Sequence, residues 1–373
     1  MVLYFKVKNQ SATHRRVPLP PFQEGIPLSA KVPLAHVTPS TDSRARVPLN
    51  TLAIPLGLAG LAQVWSLGTA ALGIPFELGQ AFWVVAAIAW IWTLAVHVHR
   101  STRADQPLSH QLTHFAQGPL AALLPLAAML LGAGLHPTIP LAGTVLTLIS
   151  FAAAAAFASW ILSFWMRGEL PLESIHGGYF LPISAAGLVG AFAAAETGLD
   201  WLAVGSFTIG IFFWLVISVF FFLRLALRPT LPAPLVPTLA ILVAPPAVAS
   251  AAWLKISGGQ PNHMFEGLTA MTILMVLIQV MLLPRYRALP FSLGFWSFTF
   301  PAASVAALAI TWLRLLQPIG WQAITVGVLA AVTVFVVTIA TKSILLLIAT
   351  TRAARRQRSS SEKRTHRFTV TLP

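Results

Sequence analysis

Ten stretches of this sequence are long and apolar and carry no charge near their middles: residues 49–68, 78–98, 112–133, 139–165, 175–195, 201–226, 234–254, 265–283, 292–313 and 320–348. A helix of ~20 apolar residues spans the ~30 Å hydrocarbon core of a bilayer. Within hydrocarbon a backbone must satisfy its own hydrogen bonds, and a helix does so locally. The chain is therefore read as an all-α integral membrane protein with ten transmembrane helices.

Composition agrees with that reading. Of 373 residues, 57% are hydrophobic and only 9% are charged, more apolar surface than a soluble fold keeps from water. The net charge of +14 does not indicate nucleic acid, because the basic residues fall in tails and in short loops between apolar runs. Cysteine is absent, which excludes disulfides and thiolate chemistry. Three regions follow: a Pro-rich tail at 1–48, expected to be mostly disordered; a ten-helix domain at 49–350; and a basic tail at 351–373 beside anionic lipid.

Loop charge sets the expected orientation. One set of connectors holds Arg100, Arg103, Arg167, Arg224, Arg228, Arg285 and Arg287, and the opposite set holds only Lys255 and Arg314 among acidic residues. By the positive-inside rule both termini face the cytoplasm, as an even number of spans requires.

Proline alternates along the spans. Pro55, Pro119 and Pro125, Pro182, Pro245 and Pro246, and Pro301 lie within the first, third, fifth, seventh and ninth spans. The even spans have none away from their ends. A proline inside a helix deletes one i→i−4 bond and bends the axis, which lipid cannot compensate. The odd spans are therefore expected inside, kinked at Pro55, Pro125, Pro182, Pro245 and Pro301, and the even spans outside. The expected architecture is five helical hairpins, with an inner ring of five kinked helices around a central pore and an outer ring of five. Small-residue runs such as "GLAGLA" (57–62), "SAAGLVGA" (184–191) and "AVASAA" (247–252) allow close backbone approach or leave room for a lumen.

No nucleophile–base set, metal-ligand spacing or nucleotide loop is present, so neither an enzyme, a metal nor a cofactor is expected. The histidines and acidic residues lie at the span edges rather than at a midplane relay. Ser184, Ser250, Ser297 and Thr299 are the polar groups placed to offer weak partial charge along a lumen, and weak binding suits fast permeation. In "GFWSFTFPAASVAALAI" (294–310), Phe298 and Phe300 point roughly 200° apart on a helix, so only one of the two rings can face an axis.

Four stretches, "AIPLGLAGLAQVW" (53–65), "YFLPISAAGLVGA" (179–191), "LAILVAPPAVASAAWL" (239–254) and "FWSFTFPAASVAALA" (295–309), resemble the tellurite-resistance/dicarboxylate transporter family. That family includes bacterial TehA-type proteins and the slow-type anion channels of plants. The resemblance covers about residues 49–350, with Ala53 standing where relatives often carry glycine. It implies a homotrimer in a bacterial inner membrane, each subunit with its own pore. It also implies a phenylalanine plug, at the position matched by Phe300 in "FTFP", and no nucleic-acid partner. The expected function is a channel for small monovalent anions. The alternative is a potential- or proton-coupled carrier or exporter for C4-dicarboxylate, sulfite or tellurite.

Overall fold

The computed structural model describes residues 46–168 and 170–369, with side chains up to Ala353. The expected disordered segment 1–48 lies almost wholly outside the described residues. Among those described there is no strand, and ten helical segments are long and apolar enough to cross a bilayer. They are Leu49–Leu72, Phe76–Ser101, Gly118–Leu135, Pro140–Trp165, Gly177–Glu196, Asp200–Leu227, Ala233–Ile256, His263–Arg287, Leu293–Leu316 and Trp321–Ala353. The third begins six residues later than its apolar run suggests. A separate short helix, Leu108–Leu112, precedes it, and the chain doubles back so tightly that a Cβ on Gly118 would lie 2.0 Å from the Leu112 carbonyl oxygen. The last helix does not stop at the membrane limit: its backbone remains helical through the basic segment to Thr369.

Burial separates odd from even spans. In the most apolar window of the fifth span 94% of residues are buried, against 11% in the second. The even spans present large side chains outward, including Trp92, Leu141, Trp201 and Met281, each more than two-thirds exposed. Such faces are stable only against hydrocarbon or another protein. Each even span packs on the odd span just before it. The odd spans pack on one another: the first on the third and ninth, the third on the fifth, the fifth on the seventh, and the seventh on the ninth.

The prolines mark a change of helix type. The first, third, seventh and ninth spans open as 3₁₀ helices, Leu49–Leu52, Gly118–Ala122, Ala233–Val243 and Leu293–Phe298. Each continues as an α-helix, from Ala53, Leu123, Ala244 and Thr299 respectively. Pro55, Pro125, Pro245 and Pro301 all stand second or third in those α segments. The fifth span runs from a 3₁₀ turn, Gly177–Phe180, through a π segment, Leu181–Ala185, that holds Pro182, into α from Ala186.

The placement has a simple physical basis. The first N–H groups of an α-helix have no α partner, and a preceding 3₁₀ segment serves its carbonyls from three residues ahead, not four. A proline at the junction therefore costs far less than one inside a continuous α-helix. The sequence "RPTLPAPLVPTLAILVAPP" (228–246) carries this furthest. Proline's fixed φ suits 3₁₀ geometry, and the 3₁₀ segment there reaches 11 residues, where runs above about four are uncommon. The larger 3₁₀ rise also lengthens the 18-residue third span to about 30 Å.

A cavity lined by the odd spans

The five odd spans, and the segments leading into the first and third, enclose a cavity of about 220 Å³. Much of its lining is spaced three residues apart. Asn50, Ala53 and Leu56 face it from the first span, and Gln117, Leu120, Leu123 and Leu126 from the start of the third. Leu235, Thr238, Ile241 and Ala244 face it from the seventh, and Gly294, Ser297 and Phe300 from the ninth. In the 3₁₀ segment of the seventh span three residues per turn put Leu235, Thr238 and Ile241 in line; Leu56, Leu126 and Phe300 stand in the α segments that follow, where residues three apart share a face. The fifth span, broken by a π segment instead, contributes Leu181 and Ala185, four apart.

The rows run from polar to apolar. Their polar members, Asn50, Gln117, Thr238 and Ser297, stand first or second; their last are Leu56, Leu126, Ala244 and Phe300, with Pro245 and Pro301 beside them. Among the described residues no charged side chain lines the cavity. Two of the four polar groups are occupied by the protein. The Thr238 hydroxyl donates to the Leu235 carbonyl at 2.6 Å and accepts from the Gly177 N–H at 3.2 Å. The Gln117 Oε1 accepts from the Leu49 N–H at 3.3 Å and from the Gln111 amide at 3.4 Å.

The two phenylalanines of "FTFP" are placed apart. Phe300, second in its α segment and 8% exposed, lies in the cavity lining. Phe298, last in the 3₁₀ segment, is half-buried against Tyr286, centroids 4.8 Å apart and edge-on, and against Phe295 at 5.6 Å. The first span comes very close behind Phe300. A Cβ on Gly57 would stand 2.0 Å from Thr299 Oγ1, and one on Gly60 would stand 3.0 Å from Phe300 Cδ2. The "GLAG" run is thus a contact surface for the ninth span.

Of the three candidate serines, Ser297 lines this cavity and the other two lie elsewhere. Ser250 is fully buried and donates to the Pro246 carbonyl at 3.0 Å. Ser184 is fully buried with no partner for its hydroxyl. Thr299 turns back to the Trp296 carbonyl at 2.8 Å. Composition gave no hint of Asn50 and Gln117, which stand at or just before the start of the observed first and third spans.

Behind the cavity wall sits His176, fully buried just ahead of the fifth span. Its Nδ1 accepts from the Gly178 N–H at 3.1 Å, which leaves the ring proton on Nε2, and its ring meets Tyr179 edge-on. Burial pushes it down to about 4; the neighbouring Phe115 and Ala116 carbonyls oppose that shift and Arg224 adds to it. The ring is neutral, and its Nε2, buried near the 115–116 turn, has no hydrogen-bond partner among the described residues. Arg224 anchors the same side by donating to the carbonyls of Pro229, at 2.8 Å, and Glu173.

Comparison with known proteins adds the following. The profile of the family described as SLAC1, voltage-dependent anion channel, matches residues 46–344. The chain is 25% identical to the tellurite resistance protein TehA homolog of Haemophilus influenzae over 307 residues, covering 78% of this chain and 91% of that protein. It is 26% identical to the S-type anion channel SLAH3 of Arabidopsis thaliana over 344 residues, covering 86% of this chain and 52% of the plant protein. A shorter stretch of 126 residues is 32% identical to the guard cell S-type anion channel SLAC1 of the same plant, covering 32% of this chain and 22% of that one.

Proposed function

The chain belongs to the SLAC1 family of voltage-dependent anion channels, and from that premise we propose that it conducts small monovalent anions through a pore held shut by Phe300. Members of this family transport anions and are not enzymes. The observation that carries the reading is the cavity itself, lined by all five odd spans, with no charged side chain among the described residues that line it, and carrying Phe300 in its wall. In this reading the contacts among odd spans close an inner ring, and the even spans complete five hairpins around it. The assembly is a homotrimer in the bacterial inner membrane with both termini in the cytoplasm.

An apolar constriction blocked by one ring resists both hydration and ion entry, so removal of the ring is the direct test. Phe300→Ala in planar bilayers should raise nitrate and chloride conductance severalfold or more over the unaltered protein. If neither protein conducts any anion, the channel reading fails. The name of the bacterial relative, a tellurite resistance protein, favours the second reading of a coupled carrier or exporter for tellurite, sulfite or C4-dicarboxylate. That reading requires flux in liposomes to follow a proton gradient or the membrane potential with saturation.

A further inference from the structure

We propose that Lys255, paired with Glu196 at the end of the inner spans away from the cavity, is an anion-binding residue of the conduction path, and that a passing monovalent anion competes with the Glu196 carboxylate for its ammonium group. The inference rests on the channel reading above and adds a charged station to it, remote from Phe300.

Both residues continue the helix faces that line the cavity. Ala185 of the fifth span and Ala244 of the seventh stand in its lining. Glu196 and Lys255 each follow eleven residues later, in the α segments Ala186–Glu196 and Ala244–Ile256. Eleven residues at ~100° each complete three turns and about 20°, and carry the axis about 16 Å onward. The opposite faces of both helices are taken by the sixth span: a Cβ on Gly187 would stand 2.6 Å from Gly210 Cα, and the Trp253 ring packs on Phe207 at 5.1 Å. The two α segments pack on one another, and at their ends Lys255 Nζ lies 2.8 Å from Glu196 Oε1. Both side chains keep access to solvent, 44% exposed for Lys255 and 28% for Glu196.

The electrostatics of this end call for a cation. The cavity takes the N-terminal part of every odd span, so their C-termini, with the partial negative charge of each helix dipole, gather at the other end. An anion there meets that charge, and an ammonium group on the lining face offsets it. A lysine in a last turn complements the dipole on any face of its helix, so the dipole alone accounts for Lys255. It does not account for Glu196, the last residue of its own helix, whose charge the dipole opposes. The carboxylate is instead placed where it occupies the lysine between ions. An ion pair this open to water is held weakly, so an anion displaces the carboxylate as one single negative charge for another. Binding that exchanges readily is what conduction demands, and Lys or Arg side chains recur in anion pores.

The test uses full-length protein in planar bilayers, with Phe300→Ala as the background so that the closed ring does not hide the effect. Chloride conductance is read in about 10 mM KCl, where charges act over ~30 Å, and in about 1 M KCl, where they act over ~3 Å. Adding Lys255→Gln should lower conductance about fivefold at the lower concentration and far less at the higher one. Adding Glu196→Gln should raise it at the lower concentration, because the ammonium group loses its competitor, and Lys255→Arg should conduct like its parent. Glu266→Gln removes a carboxylate from the exposed His263–Glu266 pair at the start of the eighth span and should change neither value. A pair that only braces the two helices would move Lys255→Gln and Glu196→Gln in the same direction, with lower current and earlier thermal unfolding. That result, or a Lys255→Gln variant that conducts like its parent at about 10 mM, would overturn the site and leave the channel intact. Absence of any current in the Phe300→Ala background would instead refute the channel reading, and the site with it.

Discussion

Gly60 lies against the ring of Phe300: a Cβ at position 60 would stand 3.0 Å from Phe300 Cδ2 and 3.0 Å from the Ala303 Cβ. A single hydrogen at Gly60 is what lets the first span back the ring, so the site depends on a residue that never enters the cavity. Gly60→Ala should destabilise the protein by about 1–3 kcal/mol, the usual range for overpacking. Gly60→Val should cost more. Combining either with Phe300→Ala should recover part of the loss, because the double variant removes the contact with the ring and leaves the one with the Ala303 Cβ. Additive losses in thermal unfolding would show that Phe300 is not what Gly60 accommodates.

Phe298→Ala is the counterpart to Phe300→Ala. Its ring packs on Tyr286 and Phe295, so truncation leaves a cavity between the eighth and ninth spans. Loss of about 3 kcal/mol is expected by the precedent of buried aromatic residues in soluble cores, with no rise in conductance. Phe298→Ala that conducts while Phe300→Ala does not would move the plug to the other ring.

The three-residue rows make a labelling prediction that an α-helix would not. Single cysteines at 235, 238, 241 and 244 should react with small water-soluble thiol reagents, and those at 236, 239 and 242 should not. The chain contains no cysteine of its own, so the background is clean. Reactivity with a period of 3.6 across 233–246 would contradict the 3₁₀ geometry.

His176 should make the fold sensitive to acid. Its pKa falls from 6.5 to about 4 on burial, so the folded state favours the neutral ring. The stabilisation is present above pH 6.5 and is lost as the pH falls through 4. The full effect is about 3 kcal/mol. Thermal unfolding in detergent should show the loss between pH 6.5 and 4 in the unaltered protein. His176→Gln should start less stable at pH 7 but lose less over that window. Parallel pH profiles for the two proteins would refute the assignment.

Orientation is tested by reporter fusions in the connectors. Gly168 follows the fourth span and Gly198 the fifth, both with positive φ in tight turns. Fusions there should report opposite sides, with Gly168 cytoplasmic beside Arg167. The same side for both would break the span count, and the reverse assignment would break the inference from arginine.

Much of this protein is dictated by local chemistry. Apolar runs of bilayer length, punctuated by proline and arginine, specify ten helices and nearly all their limits, because hydrocarbon tolerates few other backbones. The alternation of proline between odd and even spans likewise marks which helices are buried, since a break in a helix must be shielded from lipid. "FTFP" restricts the inward ring to one of two phenylalanines. Folding alone decides the rest. Whether a proline bends an α-helix or sits where 3₁₀ passes into α depends on which carbonyls its neighbours can serve, and no pattern of single residues encodes that. The lining depends on packing as well: Asn50 and Gln117, polar residues at or just before the start of the observed first and third spans, share the cavity with Leu56 and Leu126. The partnership of Gly60 with Phe300 joins residues 240 positions apart. Only the packing of the first span on the ninth brings a missing side chain behind the ring it supports.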